Sequence, residues 1–496
     1  MNGAGARAAA ALAVAASILA VVVPFFAATT FIGDDHLFLA YARYAPNPFV
    51  AFVTDAHGGE YYRPLPMLVW WVLGRAGGGS APFAVLALAL HFSAAGLVVG
   101  LLRSLGRPRP VAFAAGALML LAPANLEAAY WFAASTDLFA TVFVLGALLA
   151  LVRGRPAVGA ALALAGFVSK ETALVLPVLA LVVLGGTWRR RLIAIAPSLG
   201  LAALVLFARR LVLGGPGGSE DPRAGALAKA LQIAAGFAHV FTGDSVLPEV
   251  LAFGVGTAII ALAVVGSVRR RQRRWEPWLF AALTAAPLVA APWAVGARYF
   301  YFPAVGLSWA TAEALSGTSL AAKLTLAAAL VALGAVQASA RRADVLTYDR
   351  RVAAARRAVS AGAAAGHRVF HVDGGIKDLD LVVKEDPGVA RWAGELLVLN
   401  DVPASFAIVP LELAAAGAAA VAAPPIPPSG AYRFGHVRVV GLARRGDEPA
   451  LDEVLTRFPD IRFLRLRPTP GGRVVARDLT DEVKHRLDGV EPDGQT

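Results

Sequence analysis

The sequence predicts an all-α polytopic membrane domain over residues 1–340, with eleven crossings, followed by a small soluble α/β domain over residues 341–496. Three observations carry this reading. The 496 residues are 57% hydrophobic and only 16% charged, with a mean hydropathy of +0.63, far more apolar than soluble globular chains. Apolar runs of about 15 to 23 residues recur through the first two thirds, matching the roughly 20 a helix needs to cross a hydrocarbon core about 30 Å thick. From Arg341 onward charge density rises and the apolar runs shorten. The alternating apolar and polar pattern of an outer-membrane barrel is missing.

The first run, Ala8 to Ala28, follows a single Arg7 and lacks an A-x-A cleavage site, so it reads as an uncleaved first helix. Further spans are expected at 81–102, 110–123, 137–152, 156–168, 172–187, 192–213, 246–267, 277–294, 299–316 and 320–339. Residues 229–242 read as an outer helix or a partial span. Sidedness follows from four basic clusters: Arg103, Arg107 and Arg109; Arg153 and Arg155; Arg189 to Arg191; and "VRRRQRRW" from Val268. If all face the cytoplasm, neighbouring clusters enclose an even number of crossings. Residues 156–186 then form a hairpin turning at "SKE", Ser169 to Glu171, on the outer side. With the N-terminus cytoplasmic, an odd count leaves the C-terminal domain outside a cytoplasmic (inner) membrane. In that domain "HRVFHVD" and "YRFGHVRVVGL" read as strands, "DEVKHRLDG" as a short helix and "APPIPPSGAY" as a loop. There is no internal repeat and no P-loop.

Composition excludes several chemistries. No cysteine occurs, which removes disulfides, thiolate nucleophiles and Cys-ligated metals. The net charge of +12 is spread over short inter-span clusters, the positive-inside pattern rather than a nucleic-acid surface.

With this orientation the distinctive polar residues collect on one face although they are distant in sequence. They are Asp34 and Asp35 in "FIGDDHLFLAYARY"; His57, Tyr62 and Arg63 in "HGGEYYRPLP"; Glu127 and Asp137 flanking "AAYWFAAST"; Lys170 and Glu171; and Arg298 with Tyr299 and Tyr301 in "GARYFYFP". A lone Asp at a helix start caps it, but a second adds little to capping. Tyr62 and the "RYFYFP" tyrosines also suit an aromatic belt, and a turn lysine can snorkel. Glu127 and Asp137 also read as loop charges. The histidines do not form a metal set by spacing. Carboxylates and cations converging where helices emerge are expensive unless they bind or react with something. A carboxylate can act as general base on an acceptor hydroxyl, and fixed Arg and Lys can stabilise a departing phosphate. That pairing, without a nucleotide motif, describes transfer of a sugar from a lipid-linked phosphate donor.

The acidic pair, "YYRPL", "SKETALVLP" and "RYFYFPAVG", in that order, resemble the GT-C superfamily of polyprenyl-phosphate-sugar-dependent glycosyltransferases. The branch they resemble is that of the bacterial proteins related to protein O-mannosyltransferases, including the membrane portion of the TPR-containing ones. The resemblance spans roughly residues 8–340. It implies an inverting transfer with Asp34 or Asp35 as catalytic base, Asp34 first. It further implies that Lys170 and Arg298, with Arg63, hold the carrier phosphate, that Tyr299 belongs to the same subsite and that Glu171 orients Lys170. Some members of the superfamily use a divalent metal (Mg or Mn) and others none, and the sequence offers no ligand set beyond the acids. The implied partners are a lipid-linked sugar donor, membrane lipids and a glycan, lipid or protein acceptor. The tail departs from the TPR-bearing members, having no repeat of 34 residues. The alternative is a polytopic transporter or lipid-linked sugar flippase, which usually has related halves and polar groups near the midplane; an envelope scaffold and an O-antigen ligase or polymerase fit less well.

Overall fold

The computed structural model describes residues 30–53, 61–77, 79–214, 226–243, 249–269, 275–289, 297–373, 376, 379–384, 389, 396–400, 406–410, 432–434, 437–441, 462–469 and 473–481. The expected first span, His57, the proline-rich loop and nearly all of the expected closing helix lie outside them.

Helices dominate: α1 (Asp35–Tyr44), α2 (Pro64–Ala76), α3 (Ala81–Ser104), α4 (Arg109–Leu121), α5 (Pro123–Tyr130), α6 (Ser135–Val152), α7 (Pro156–Phe167), α8 (Leu176–Val183), α9 (Trp188–Leu213), α10 (Ala226–His239), α11 (Glu249–Arg269), α12 (Glu276–Val289), α13 (Pro303–Leu315), α14 (Leu320–Ala364) and α15 (Leu379–Lys384). Each expected span that falls within the described residues contains a helix, but 172–187 and 299–316 are helical only in part. Five stretches among those residues are long and apolar enough to cross a membrane: α3, Phe132–Val152, α9, Val250–Val268 and Ala321–Ala364. The total is six if the bent pair α4 and α5 is one span. The others are interrupted by identifiable breakers. Pro123 follows the extended Ala122 and turns α5 by 56° from α4, because proline disfavours a helical residue before it. The chain at "SKE" passes through an extended Lys170 into a short 3-10 turn, Glu171–Val175, leaving two short arms. At the same end of the bundle, α13 begins only at Pro303, a natural first-turn residue.

The hairpin at "SKE" is legible from its neighbours. Near its base, Gly159 faces Leu151 and Ala147 of α6, and Leu181 accepts from Arg191 at the start of α9. At its apex, Lys170 meets Asp137 at the start of α6, and Glu171 lies 3.8 Å from Arg209 near the end of α9. The two arms therefore run alongside α6 and α9, which pack against both. The base end gathers basic clusters: Arg153 donates to Ser104 of α3, and Arg107 lies near Glu276 and Glu313. Acids and cations singled out above gather at the opposite end.

The core is a continuous apolar cluster with Trp70, Trp309, Tyr41 and Tyr301 fully buried. Gly306 lets α13 pack backbone to backbone on α12, since a Cβ there would meet Ala281 N at 2.5 Å. Large apolar side chains such as Leu204, Phe207, Leu211 and Leu262 point outward from α9 and α11, a surface suited to lipid rather than water.

The expected boundary at residue 340 falls inside one unbroken helix. At about 1.5 Å per residue, the 45 residues of α14 extend roughly 67 Å, more than twice the hydrocarbon thickness. Its far end packs Ala355, Val359 and Ala363 in a second core with Phe370 and Val398. Strands β1 (Val369–Asp373), β2 (Leu397–Asn400), β6 (Arg462–Pro468) and β7 (Val474–Asp478) form a sheet in the order β2-β1-β6-β7, parallel except for the last pair. A second, antiparallel sheet joins β3 (Phe406–Pro410), β5 (Val437–Gly441) and β4 (Tyr432–Phe434).

Candidate functional site

The two aspartates of "GDD" have different environments. Gly33, at φ +52°, supplies the left-handed turn that glycine adopts without strain and delivers the chain to α1. Asp34 holds the N-cap position of α1 without a side-chain capping bond, so capping does not explain its acid. It lines a cavity of about 560 Å³. Asp35 is fully buried. Its two oxygens accept from the amides of Ala133 at 2.6 Å and Ile32 at 3.0 Å, bolting the Asp34 segment to the turn before α6. Burial pushes its carboxyl up to about 7 against those two amide bonds.

The cavity is walled on the bundle side by Asp34, Glu127, Trp131 and Arg298, and on the other side by Asp344, Thr347, Tyr348 and Arg351 of α14. Arg298 is held by its surroundings: its guanidinium carbon sits 3.8 Å from the Trp131 ring centre and 4.8 Å from that of Tyr299. It donates to Tyr299 Oη at 3.0 Å and lies 3.9 Å from Glu127. Burial opposes its charge, but Tyr299 and Glu127 keep its pKa above the ordinary value.

Behind Tyr299 lies a buried ionic network. Lys170 Nζ donates to Asp137 at 2.6 Å and sits 5.0 Å from the Tyr299 ring centre. Burial holds the Lys170 ammonium below its ordinary range, with Asp137 opposing. Arg63 grips Glu171 through Nε and Nη2 at 3.1 and 2.5 Å, the two-point geometry that suits guanidinium and carboxylate. Burial works against its charge, and Glu171 more than offsets that, so Arg63 is held above its ordinary value.

The structure thus gathers Asp34, Arg63, Glu127, Asp137, Lys170, Glu171, Arg298 and Tyr299 at one end of the bundle, in two layers. Two expected relations change. Glu171 pairs with Arg63 rather than orienting Lys170, whose partner is Asp137, because the extended Lys170 and the first residue of the 3-10 turn point their side chains to different neighbours. Lys170 and Arg63 stand in the buried layer and do not line the cavity. Tyr62 is buried and donates to Phe52 at 3.2 Å, a clamp on the stretch before α2. Among residues the sequence did not single out, Trp131 lay inside a quoted motif, whereas Arg209 and the α14 wall carried no local signal. Among the described residues, no three His, Asp or Glu side chains converge as metal ligands would.

The chain matches no family model and no characterised protein by sequence. Its backbone is similar to the crystal structure of ArnT from Cupriavidus metallidurans bound to undecaprenyl phosphate, at 15% identity and TM-score 0.49 over 88% of this chain and 98% of that one. It is also similar to the archaeal oligosaccharyltransferase AglB from Archaeoglobus fulgidus in complex with an inhibitory peptide and a dolichol-phosphate, at 12% identity and TM-score 0.46 over 94% of this chain and 74% of that one. Likeness at this level carries no argument about the chemistry of the cavity, which rests on its own residues.

Proposed function

We propose that the protein is a multi-pass membrane glycosyltransferase of GT-C type that moves a sugar from a polyprenyl-phosphate-linked donor to an acceptor at the extracytoplasmic face of the cytoplasmic membrane. The observation that carries the reading is that Asp34 and Arg298 line one cavity, at the end of the bundle opposite Arg107 and Arg153. By the positive-inside rule, the basic end is cytoplasmic. A donor held in the bilayer reaches helix ends laterally, and the acceptor arrives from the other side.

In this reading the Asp34 carboxylate takes the proton of an acceptor hydroxyl. That oxygen bonds to the anomeric carbon on the face opposite the leaving group, the bond to the phosphate oxygen breaks, and configuration inverts. The lipid phosphate departs with the electron pair, and Arg298 stabilises the charge it gains. The networks of Lys170 with Asp137 and Arg63 with Glu171 act from behind. Lys170 holds the Tyr299 ring, and through it the Arg298 guanidinium, while Arg63 fixes Glu171 next to Lys170, so that little reorganisation accompanies the reaction. Asp35 positions Asp34 and takes no proton from the acceptor. The mannosyl subtype remains part of the same proposal and is tested by the donor panel.

The test is transfer of radiolabelled sugar from polyprenyl-phosphate donors by the purified, reconstituted chain, comparing wild type with Asp34→Asn and Arg298→Lys. Asp34→Asn is expected to lower kcat at least 100-fold, the scale of a lost general base, without loss of fold. Arg298→Lys is expected to raise donor KM. Full activity in Asp34→Asn removes the base assignment. A donor panel giving no turnover favours transport instead.

A further inference from the structure

The cavity's second wall belongs to a helix that sequence alone assigns to the membrane and then to a tail. Residue 344 lies 24 positions past Leu320, the first residue of α14, about 36 Å along it at roughly 1.5 Å per residue. A span of about 30 Å is complete by then, so Asp344 to Arg351 stand beyond the hydrocarbon on the side of Asp34. The segment is fastened there. Thr30 donates to Asp349 at 3.1 Å, and the His36 ring stacks on Tyr348 with centroids 6.3 Å apart. The Asp34 segment and α14 are thus clamped together on either side of the cavity.

We infer that this α14 wall is the acceptor subsite and that it takes the hydroxyl-bearing end of a saccharide. The inference rests on the glycosyltransferase reading and adds which half of the cavity holds which substrate. The bundle wall, with Arg298 at the helix ends, is the half a membrane-held phosphate reaches. The α14 wall presents one carboxylate, one guanidinium and two hydroxyls, from Asp344, Arg351, Thr347 and Tyr348. With a formal charge of zero, it offers donors and acceptors without net attraction for a second anion. Neutral polyhydroxyl groups match such a surface, each hydroxyl both giving and accepting a bond. The size agrees: about 560 Å³ is within the range of roughly 300–1,000 Å³ for small-molecule pockets. It has room for the reacting sugar and an acceptor end, and not for a long polymer.

Two measurements on the full chain in proteoliposomes test this separately from the transfer reading. Arg351→Ala is expected to raise the KM for the saccharide acceptor tenfold or more while donor KM stays within twofold. A shift confined to donor KM overturns the assignment. Because the chain has no cysteine, Thr347→Cys introduces a single thiol, whose labelling by a water-soluble methanethiosulfonate reports occupancy of the wall. Methyl hexosides and hexose disaccharides are expected to slow labelling at least fivefold, and undecaprenyl phosphate alone is not. Protection by undecaprenyl phosphate alone, or by neither probe, refutes the saccharide subsite. If wild type turns over no donor, the transfer reading fails while the labelling outcome still decides whether saccharide binds at α14.

Discussion

Removal of the charge opposite Lys170 has a consequence that the packing makes calculable. Lys170 Nζ lies 2.6 Å from Asp137, and the two side chains are only 4% and 6% exposed. Asp137→Asn keeps the shape and an acceptor but leaves an ammonium without its counter-charge. Breaking a buried pair in this way costs about 3–5 kcal/mol. The lysine has an exit, since it can fold deprotonated. Relative to an unfolded lysine of pKa about 10.4, that costs roughly 5 kcal/mol at pH 7 and falls by about 1.4 kcal/mol per pH unit. In the variant the unfolded chain binds a proton that the folded chain lacks, so stability rises with pH up to the unfolded lysine value. The assay is equilibrium unfolding in mixed micelles at pH 7 and pH 9 for wild type, Asp137→Asn, Lys170→Met and the double variant. Asp137→Asn is expected to lose about 3–5 kcal/mol at pH 7 and roughly 1–3 kcal/mol less than that at pH 9. The double variant should recover most of the loss. An equal loss at both pH values, with the single losses adding in the double variant, would show that Lys170 carries no buried charge and would refute the reasoning.

Three further outcomes follow from neighbouring groups. Because Asp35 is raised to about 7 in the folded protein from an ordinary value of 3.8, its contribution is most favourable below about pH 4 and is lost as pH rises towards 7. The loss amounts to roughly 4 kcal/mol at about 1.4 kcal/mol per unit. Asp35→Asn is therefore expected to flatten the stability profile between those pH values, measured by the same unfolding assay. Arg63→Lys should lose the two-point grip on Glu171 and destabilise by about 1.5–3 kcal/mol. It should reduce transfer mainly through kcat, since Arg63 does not line the cavity, as steady-state kinetics will report. Thr30→Val removes the donor to Asp349 at one end of the α14 wall. It is expected to increase hydrogen exchange around residues 344–351 more than around α6.

Much of the helical framework and the division of charge between its two ends were legible beforehand because both rest on local and additive signals. An apolar run declares a helix that can face lipid, and a cluster of arginines declares an end. The hairpin at "SKE" followed from parity alone, and the contacts of Lys170 with Asp137 and of Arg191 with Leu181 agree with it. Interruptions were harder to foresee. The bend at Pro123 and the late start of α13 at Pro303 shorten expected spans because proline acts on the residue before it and on the helix's own bonding. Helix α2 falls outside the expected spans because its apolar run is short and opens on two prolines, although a proline is at ease in a first turn.

By itself, the sequence determined that this is a multi-pass chain whose scarce acids and cations gather where helices end, because burying a charge in apolar surroundings is costly enough to make each one conspicuous. Only the tertiary structure decided how they are divided: Asp34 at a cavity and Asp35 bolted to two amides, Lys170 on Asp137 and Glu171 on Arg63. Adjacent residues carry identical local signals, and a charge has no preference among partners until packing sets the distances. The same holds for α14. Its rising charge past residue 340 reads as a tail, yet the helix continues because nothing in it breaks the backbone bonding, and that continuity brings Arg351 to the cavity it shares with Arg298.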